Sequence, residues 1–194
     1  MFIAKNLSCK KGDQYLFRNL SFSISPGELL FVKGPNGSGK TSLLKILAGL
    51  SSPDKGSLIR GEMSYCGHKE GHKAILTPFE NIKNYCAIAG VKESKNEIIE
   101  VLTQLEIFSL MHIPCQRLSA GQRKKVALSS LILSQKKIWI VDEPFTSLDS
   151  RSIEKVSDMF KGHLKQGGAM IMASHSDFIY APCKMIDLQM SHMC

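Results

Sequence analysis

The chain lacks any apolar run near the about 18 residues that a membrane-spanning helix needs, so its 194 residues are not expected to cross a bilayer as a helix. Its opening, "MFIAKNLSCKKGD", has no continuous apolar segment of the secretory kind. It reads as a first strand, and export from the cytosol by that route is not expected. C-x-x-C is missing, although cysteine occurs at 9, 66, 86, 115, 183 and 194. The chain is too long for a disulfide scaffold, so reduced, mostly buried thiols are expected. Cys66, His68 and His72 form C-x-H-x-x-x-H with no second ligand pair at finger-like spacing, which argues against a metal there. A basic tail or long basic helix is also missing. The formal charge of +8 is dispersed in short groups such as Lys10-Lys11, Arg123-Lys124-Lys125 and Lys136-Lys137. Such charge can meet nucleic acid, lipid headgroups or nucleotide phosphates, but its dispersal favours a plain solvated surface. Repeats, long linkers and low-complexity segments are absent. A hydrophobic share of 43% is that of a soluble globular domain, and the length supports one substantial core.

What is present alternates between strand and helix. "LFRNLSFSI" puts Leu20, Phe22 and Ile24 on one strand face. "SPGE" turns the chain, and "LLFVK" reads as a buried strand ending at Gly34. "KTSLLKILAGL" is helical, with Leu43, Leu44 and Leu47 on one side. The middle changes character. "TPFENIKNYCAIAG" opens a helix with Thr77 as cap, Pro78 in the first position and Glu80 three after the cap. "SKNEIIEVLTQLEIF" repeats that opening with Ser94 and Glu97, and carries the stripe Ile98, Val101, Leu102, Leu105. No strand signal intervenes, so about 74–124 reads as a helical insertion. "KIWIVDEP", "AMIMASH" and "KMIDLQM" then read as strands around the helix "SRSIEKVSDMFKGHL". The expected fold is α/β with a mostly parallel sheet.

"GPNGSGKT" fits G-x-x-x-x-G-K-[ST] between a strand and a helix. Its glycines let successive backbone N–H groups close on an anion, and the helix N-terminus adds positive charge. Gly34, Pro35, Asn36, Gly37, Ser38, Gly39, Lys40, Thr41 and Ser42 are thus the expected triphosphate cradle. Lys40 reaches the β- and γ-phosphates and the Thr41 hydroxyl ligates Mg²⁺. "IWIVDEP" delivers Asp142 at the C-terminal edge of a buried strand, where ligands bind in a parallel sheet. An Asp there binds Mg²⁺ directly or through water. Glu143 points differently and can orient a water for in-line attack. His175, at another strand end, can reach the γ-phosphate. "LSAGQ" is a second hydroxyl-and-glycine turn opening a helix: Ser119 caps it and Gln122 holds the reciprocal position. One triphosphate already has its cradle, so Leu118, Ser119, Ala120, Gly121 and Gln122 are expected to serve the ATP of a second chain in a head-to-tail dimer.

"GPNGSGKT", "LSAGQ", "IWIVDEP", "SLD" at 147–149 and "SH" at 174–175 resemble, in that order, the ATP-binding subunits of ABC transporters over nearly the whole chain. L-S-x-G-Q between the two nucleotide motifs is specific to that family; P-loop kinases and GTPases lack it. "YCGHKEGHKAILTPFENI" and "DEPFTSLD" narrow the resemblance to the ATPase of the haem exporter of cytochrome c maturation, the CcmA family. The resemblance implies a P-loop NTPase with a RecA-like core, an N-terminal antiparallel β part and a helical subdomain. Residues 1–194 would be a single ABC ATPase domain, with its core at about 1–73 and 125–194 and the subdomain at about 74–124. It implies ATP and Mg²⁺ as cofactors, with Glu143 and His175 catalytic and Thr41 and Asp142 at the metal. Ser147, Leu148 and Asp149 would form the loop that crosses the dimer interface. It further implies a homodimer on ATP binding, integral membrane permease partners, no nucleic acid, and a peripheral position on the cytoplasmic face of the inner membrane. Two positions depart from the general pattern. Lys69 stands where a Gln usually meets Mg²⁺, and an ammonium cannot ligate a cation; it can pair with the γ-phosphate instead. Lys11 stands where an aromatic usually stacks on adenine, leaving Tyr15 or Phe17 as substitutes. Another ABC transporter system, or a soluble ABC ATPase acting on nucleic acid or ribosomes, are the alternative readings. The transported species, and a choice between haem movement and haem release to a periplasmic chaperone, are not legible in the residues.

Overall fold

In the computed structural model, which describes residues 2–67, 71–175, 178 and 180–188, strands and helices alternate. The chain divides into two units: Met1–Tyr65, Lys136–Glu143 and Lys161–Cys194 form one, and Cys66–Gln135 and Pro144–Phe160 form the other.

The first unit holds two sheets. β1 (Phe2–Lys11) pairs antiparallel with β2 (Gln14–Ile24) and with β4 (Lys55–Ile59), giving the order β2-β1-β4. The second sheet has the order β5 (Met63–Cys66), β6 (Ile138–Asp142), β7 (Ala169–Ala173), β3 (Leu29–Lys33), β8 (Cys183–Asp187). The β6–β7, β7–β3 and β3–β8 pairs are parallel. This is the α/β fold expected, with its antiparallel part at the N-terminus. The "LLFV" run is buried throughout, as a central parallel strand with both faces covered requires. β4 is mostly exposed and β5 is only four residues long, so no apolar alternation marks them in the sequence.

Side-chain alternation decides what faces α1 (Lys40–Leu47). Leu30 and Val32 of β3, Ile138 and Ile140 of β6, and Ala169, Ile171 and Ala173 of β7 share one core with Leu43, Leu44 and Leu47 of α1. Burying each of these larger side chains contributes about 1.5–3 kcal/mol. Ile24 joins the same core, with Leu20 and Phe22 packed against it, as the β2 alternation predicts. Val32 and Asp142 are both in register with Ala173, so β3, β6 and β7 end level. The residues that follow them, at Gly34, Glu143 and Ser174, therefore emerge along one sheet edge.

The second unit is helical. Between residues 71 and 137 no described residue is in a strand. α2 (Pro78–Ala89) starts at a capping box in which Thr77 Oγ1 accepts from the Glu80 N–H and Glu80 accepts from the Thr77 N–H. Ser94 and Glu97 do the same for α3 (Lys95–Gln104), whose Ile98, Val101 and Leu102 are buried along with Leu105. α4 (Ala120–Leu133) packs against α2 and α3. α5 (Ser150–Lys165) begins in this unit.

Candidate functional site

β3 runs directly into the glycine loop. Gly34, Gly37 and Gly39 have φ of 145°, 83° and 99°, a region open to glycine. Two of them also have no room for a side chain. A Cβ at Gly34 would lie 2.5 Å from Ser38 Oγ, and one at Gly39 would lie 2.9 Å from the Cβ of Leu16. The loop closes on itself through the Ser38 N–H to the Pro35 carbonyl at 3.2 Å, and the Leu43 N–H to the Gly39 carbonyl at 2.8 Å starts α1. Lys40 Nζ folds back over the loop, donating to the carbonyls of Gly34 at 2.8 Å and Pro35 at 3.1 Å. Pro35, Asn36 and Gly37 form its exposed tip, and Ser42 is half-buried on α1. The Ser38 hydroxyl is buried in the loop with no hydrogen-bond partner. An orphaned hydroxyl beside a lysine and a helix N-terminus suits a phosphate oxygen.

Asp142 follows Ile138 and Ile140 on the face of β6 toward α1, and there it meets Thr41. The Thr41 hydroxyl donates to Asp142 Oδ2 at 2.7 Å across 101 residues of sequence, and Asp142 is only 2% exposed. A hydroxyl and a buried carboxylate are hard oxygen donors that suit Mg²⁺, which keeps several waters and needs few protein ligands. Among the described residues no three His, Cys, Asp or Glu cluster as a metal cage. The C-x-H-x-x-x-H stretch includes His68, which lies outside the described residues.

Glu143 leaves the strand in the left-handed region, with φ of 50°. Such a backbone costs about 1–3 kcal/mol and persists where its surroundings over-determine it. Here the Glu143 N–H donates to the Ala173 carbonyl at 2.8 Å, which fixes the kink. The Glu143 Oε2 accepts from the His175 N–H at 3.2 Å, and its buried Oε1 has no hydrogen bond. His175 Nε2 lies 3.6 Å from that oxygen, an ion pair when the imidazole is protonated, and 3.1 Å from Asn36 Oδ1 of the glycine loop. The structure thus brings Lys40, Thr41, Asp142, Glu143 and His175 together. The link from His175 to Asn36 has no sequence signal, because it depends on β7 lying between β3 and β6.

The second group of expected residues sits in the helical unit. Ser119 caps α4: its Oγ accepts from the Gln122 N–H at 3.2 Å, and its own N–H donates to Gln122 Oε1 at 2.9 Å. Leu118 is buried, Ala120 is exposed, and Gly121 is helical. Ser147 has φ of 68°, Leu148 is half-buried, and Asp149 caps α5 by accepting from the Ser152 N–H at 2.8 Å. The hydrogen bonds from Ser152 hold the Asp149 carboxyl below the usual range, with Lys125 and Arg151 adding to it.

The ABC transporter family profile matches residues 17–146. The cytochrome c biogenesis ATP-binding export protein CcmA of Nitrosomonas europaea is 40% identical, over 98% of this chain and 96% of that one. Its counterpart in Methylococcus capsulatus is 40% identical, over 95% and 96%. The chain belongs to the ABC transporter family, in its CcmA branch. A putative ABC transporter ATP-binding protein of Pyrococcus furiosus superposes with a TM-score of 0.85 at 26% identity, covering 98% of each chain. A dimeric ATP-binding cassette in a post-hydrolysis state, bound to ADP and Pi, superposes at 0.82 and 22% identity, covering 91% of this chain and 88% of that one. The fold is that of a P-loop NTPase.

The two aromatics expected near the base differ in burial. Phe17, one of the two aromatics that could meet adenine, is 0% exposed in the core, so no base can stack on it. Tyr15 is half-buried, with Arg18 Cζ 3.9 Å and Lys10 Nζ 4.7 Å from its ring centre. Strand alternation alone would put both rings on one face of β2; the register shift between their β1 partners, Cys9 for Phe17 and Lys10 for Tyr15, separates their environments. Lys69 lies outside the described residues. The described cysteines are not in disulfides; Cys66, Cys86 and Cys115 are buried, Cys9 is partly so and Cys183 is exposed. Burial, with Glu93 and Glu97 nearby, pushes the Cys86 thiol up to about 12, so it is inert as a nucleophile.

Proposed function

We propose that this chain is the ATP-hydrolysing subunit of a membrane transporter for c-type cytochrome biogenesis, coupling ATP turnover to haem export or release. The observation that carries the ATPase reading is the Thr41–Asp142 hydrogen bond of 2.7 Å at the mouth of the glycine loop, which joins two otherwise separate motifs into one phosphate-and-metal site. The cytochrome c assignment rests on the CcmA relatives.

Backbone N–H groups of the glycine loop (Pro35 has none, and that of Ser38 closes the loop), the Ser38 hydroxyl and Lys40 bind the β- and γ-phosphates of ATP. Thr41 and Asp142 would hold Mg²⁺, which would supply charge neutralisation at the phosphate oxygens. Glu143 Oε1, buried with no hydrogen bond, orients the attacking water and takes its proton. His175 reaches the γ-phosphate while Asn36 steadies its ring. Tyr15 meets the adenine, and Lys69 pairs with the γ-phosphate. Leu118 to Gln122 and Ser147 to Asp149 face the nucleotide of a second copy, so the active form is a homodimer closed by ATP. The dimeric solved cassettes support that reading.

No described helix is long and apolar enough to cross a membrane. The transporter is then completed by integral membrane subunits, with this chain on the cytoplasmic face of the inner membrane and residues of about 74–124 as the helical subdomain that meets them. Phe79 and Tyr85 are half-buried, whereas Ile75, Phe108 and Ile113 are 74%, 45% and 36% exposed. The Leu76 and Ala74 carbonyls accept from the Cys115 and Gln116 N–H groups, which sets Ile75 beside this apolar segment. The latter three side chains form the docking surface for an apolar helix.

Mixing variants tests the shared site. Lys40→Ala and Ser119→Arg chains are each inactive alone, and their mixture recovers ATPase activity because one composite site stays intact. A mixture as inactive as its parents refutes sharing. Purification from a detergent extract tests the partner: hydrophobic membrane subunits are expected, and ribosomes or RNA would refute it.

A further inference from the structure

Gly121 sits in the first turn of α4 without a positive φ, so its backbone does not call for glycine. Its surroundings do. A Cβ at Gly121 would run into the carbonyl oxygen of Ser147, with the Ser147 carbonyl carbon at 3.5 Å and Leu148 Cδ2 at 3.9 Å. A side chain could swing aside, but this neighbour is backbone, and the backbone is tied. Ser147 is left-handed with φ of 68°. The Leu148 N–H donates to the Phe145 carbonyl at 3.2 Å, and the Phe145 ring packs 5.9 Å from that of Phe160. On the other side, Asp149 is fixed as the α5 cap by the Ser152 N–H at 2.8 Å and the Ile153 N–H at 2.9 Å. The LSAGQ turn is equally tied, through its capping box and through Arg123 Nη1, which donates to the Leu118 carbonyl at 2.6 Å. All these residues belong to the same unit.

We infer that Gly121 is a positioning residue that seats the Ser147 carbonyl of its own chain, so that the LSAGQ turn and the 147–149 loop act as one block. Both parts would face a second copy, so the block presents two interface elements in a fixed mutual arrangement. One cannot engage the partner's nucleotide while the other lags. The inference rests on the shared-site reading for its consequence, and on the cis contact for its cause.

The test is a double-mutant cycle in the full chain, with Glu143→Gln present so that ATP-bound dimers accumulate. Gly121→Ala is expected to weaken ATP-driven dimerisation by about tenfold, within the coupling range of residues in contact. Ser147→Gly in the same chain relieves the left-handed strain and lets the carbonyl retreat, and most of the loss is regained. Differently tagged chains give heterodimers with the two substitutions on the same or on opposite chains. Recovery confined to the same chain is the expected result. Recovery across chains, or none, would overturn the inference. The nucleotide-free monomer supplies a second arm: Gly121→Ala lowers the urea midpoint and Ser147→Gly restores part of it. Strict additivity there overturns the cis block. Failure of the Glu143→Gln parent to dimerise with ATP would refute only the shared-site reading, because the monomer arm still decides the block.

Discussion

Asn81 offers the sharpest test of how the helical unit is held. Its side chain is 7% exposed, on the inner face of α2. Oδ1 accepts from the Lys73 N–H at 2.7 Å. Nδ2 lies 3.0 Å from the Lys73 carbonyl, 3.2 Å from that of Leu76, 3.1 Å from that of Thr77 and 3.3 Å from Cys115 Sγ. An amide has two N–H donors, so these four acceptors share two hydrogens, and the side chain supplies at most about three good bonds at once. Each contributes about 1 kcal/mol net, and truncation also strands partly buried backbone groups. Asn81→Ala is therefore expected to cost about 3 kcal/mol, which for a chain of this size lowers Tm by about 6–12 °C. Asn81→Asp keeps the acceptor but turns a carboxylate toward three carbonyl oxygens, so it is worse than Ala at pH 7. The carboxyl pKa in the folded variant is raised above its unfolded value, so the folded state favours the proton. The variant is least impaired at low pH and loses stability as pH rises through the folded pKa. Urea titrations at several pH values, with hydrogen exchange at the Lys73 and Cys115 amides, read both effects. ATP binding should be unchanged, because the glycine loop belongs to the other unit. An Asn81→Ala chain within about 0.5 kcal/mol of the parent, as a neutral surface change would be, refutes the reasoning, and so does a pH-independent Asp variant.

Glu143→Gln should bind ATP with near-normal affinity and lose about 10²- to 10⁴-fold in hydrolysis, the usual worth of a general base; turnover at the parent rate would remove Glu143 from that role. Gly39→Ala forces a side chain onto Leu16 at a φ of 99°, so equilibrium dialysis should find ATP binding lost while circular dichroism stays native. Hydrogen bonds within the capping boxes hold the Glu80 and Glu97 carboxyls below their ordinary range. Their contribution is present above the unfolded value of about 4.3 and fades as pH falls through the lower folded pKa. Helical circular dichroism should decline at acid pH, less so in a Glu80→Gln, Glu97→Gln chain; an identical acid response would refute it.

Local chemistry made much of this molecule readable from its residues. Thr77, Ser94 and Ser119 each stand three before a Glu or Gln, and each forms the box that spacing implies, because capping involves only one turn of chain. The buried runs "LLFV" and "IWIV" became central strands, and the alternation within them put Asp142 on the face that also buries Ile138 and Ile140. The signals fail where partners are distant in sequence. β4 is mostly exposed and β5 is only four residues long, so only their neighbours make them into strands. Phe17 and Tyr15 look interchangeable as aromatics, yet the core buries one and leaves the other partly open. The meeting of Thr41 with Asp142, of His175 with Asn36, and of Gly121 with the Ser147 carbonyl follows from strand order and backbone approach. A motif specifies which groups a site uses and how the chain turns there. The distances between groups from separate motifs depend on the order and register of the sheet and on how closely loops pack, which are properties of the folded chain.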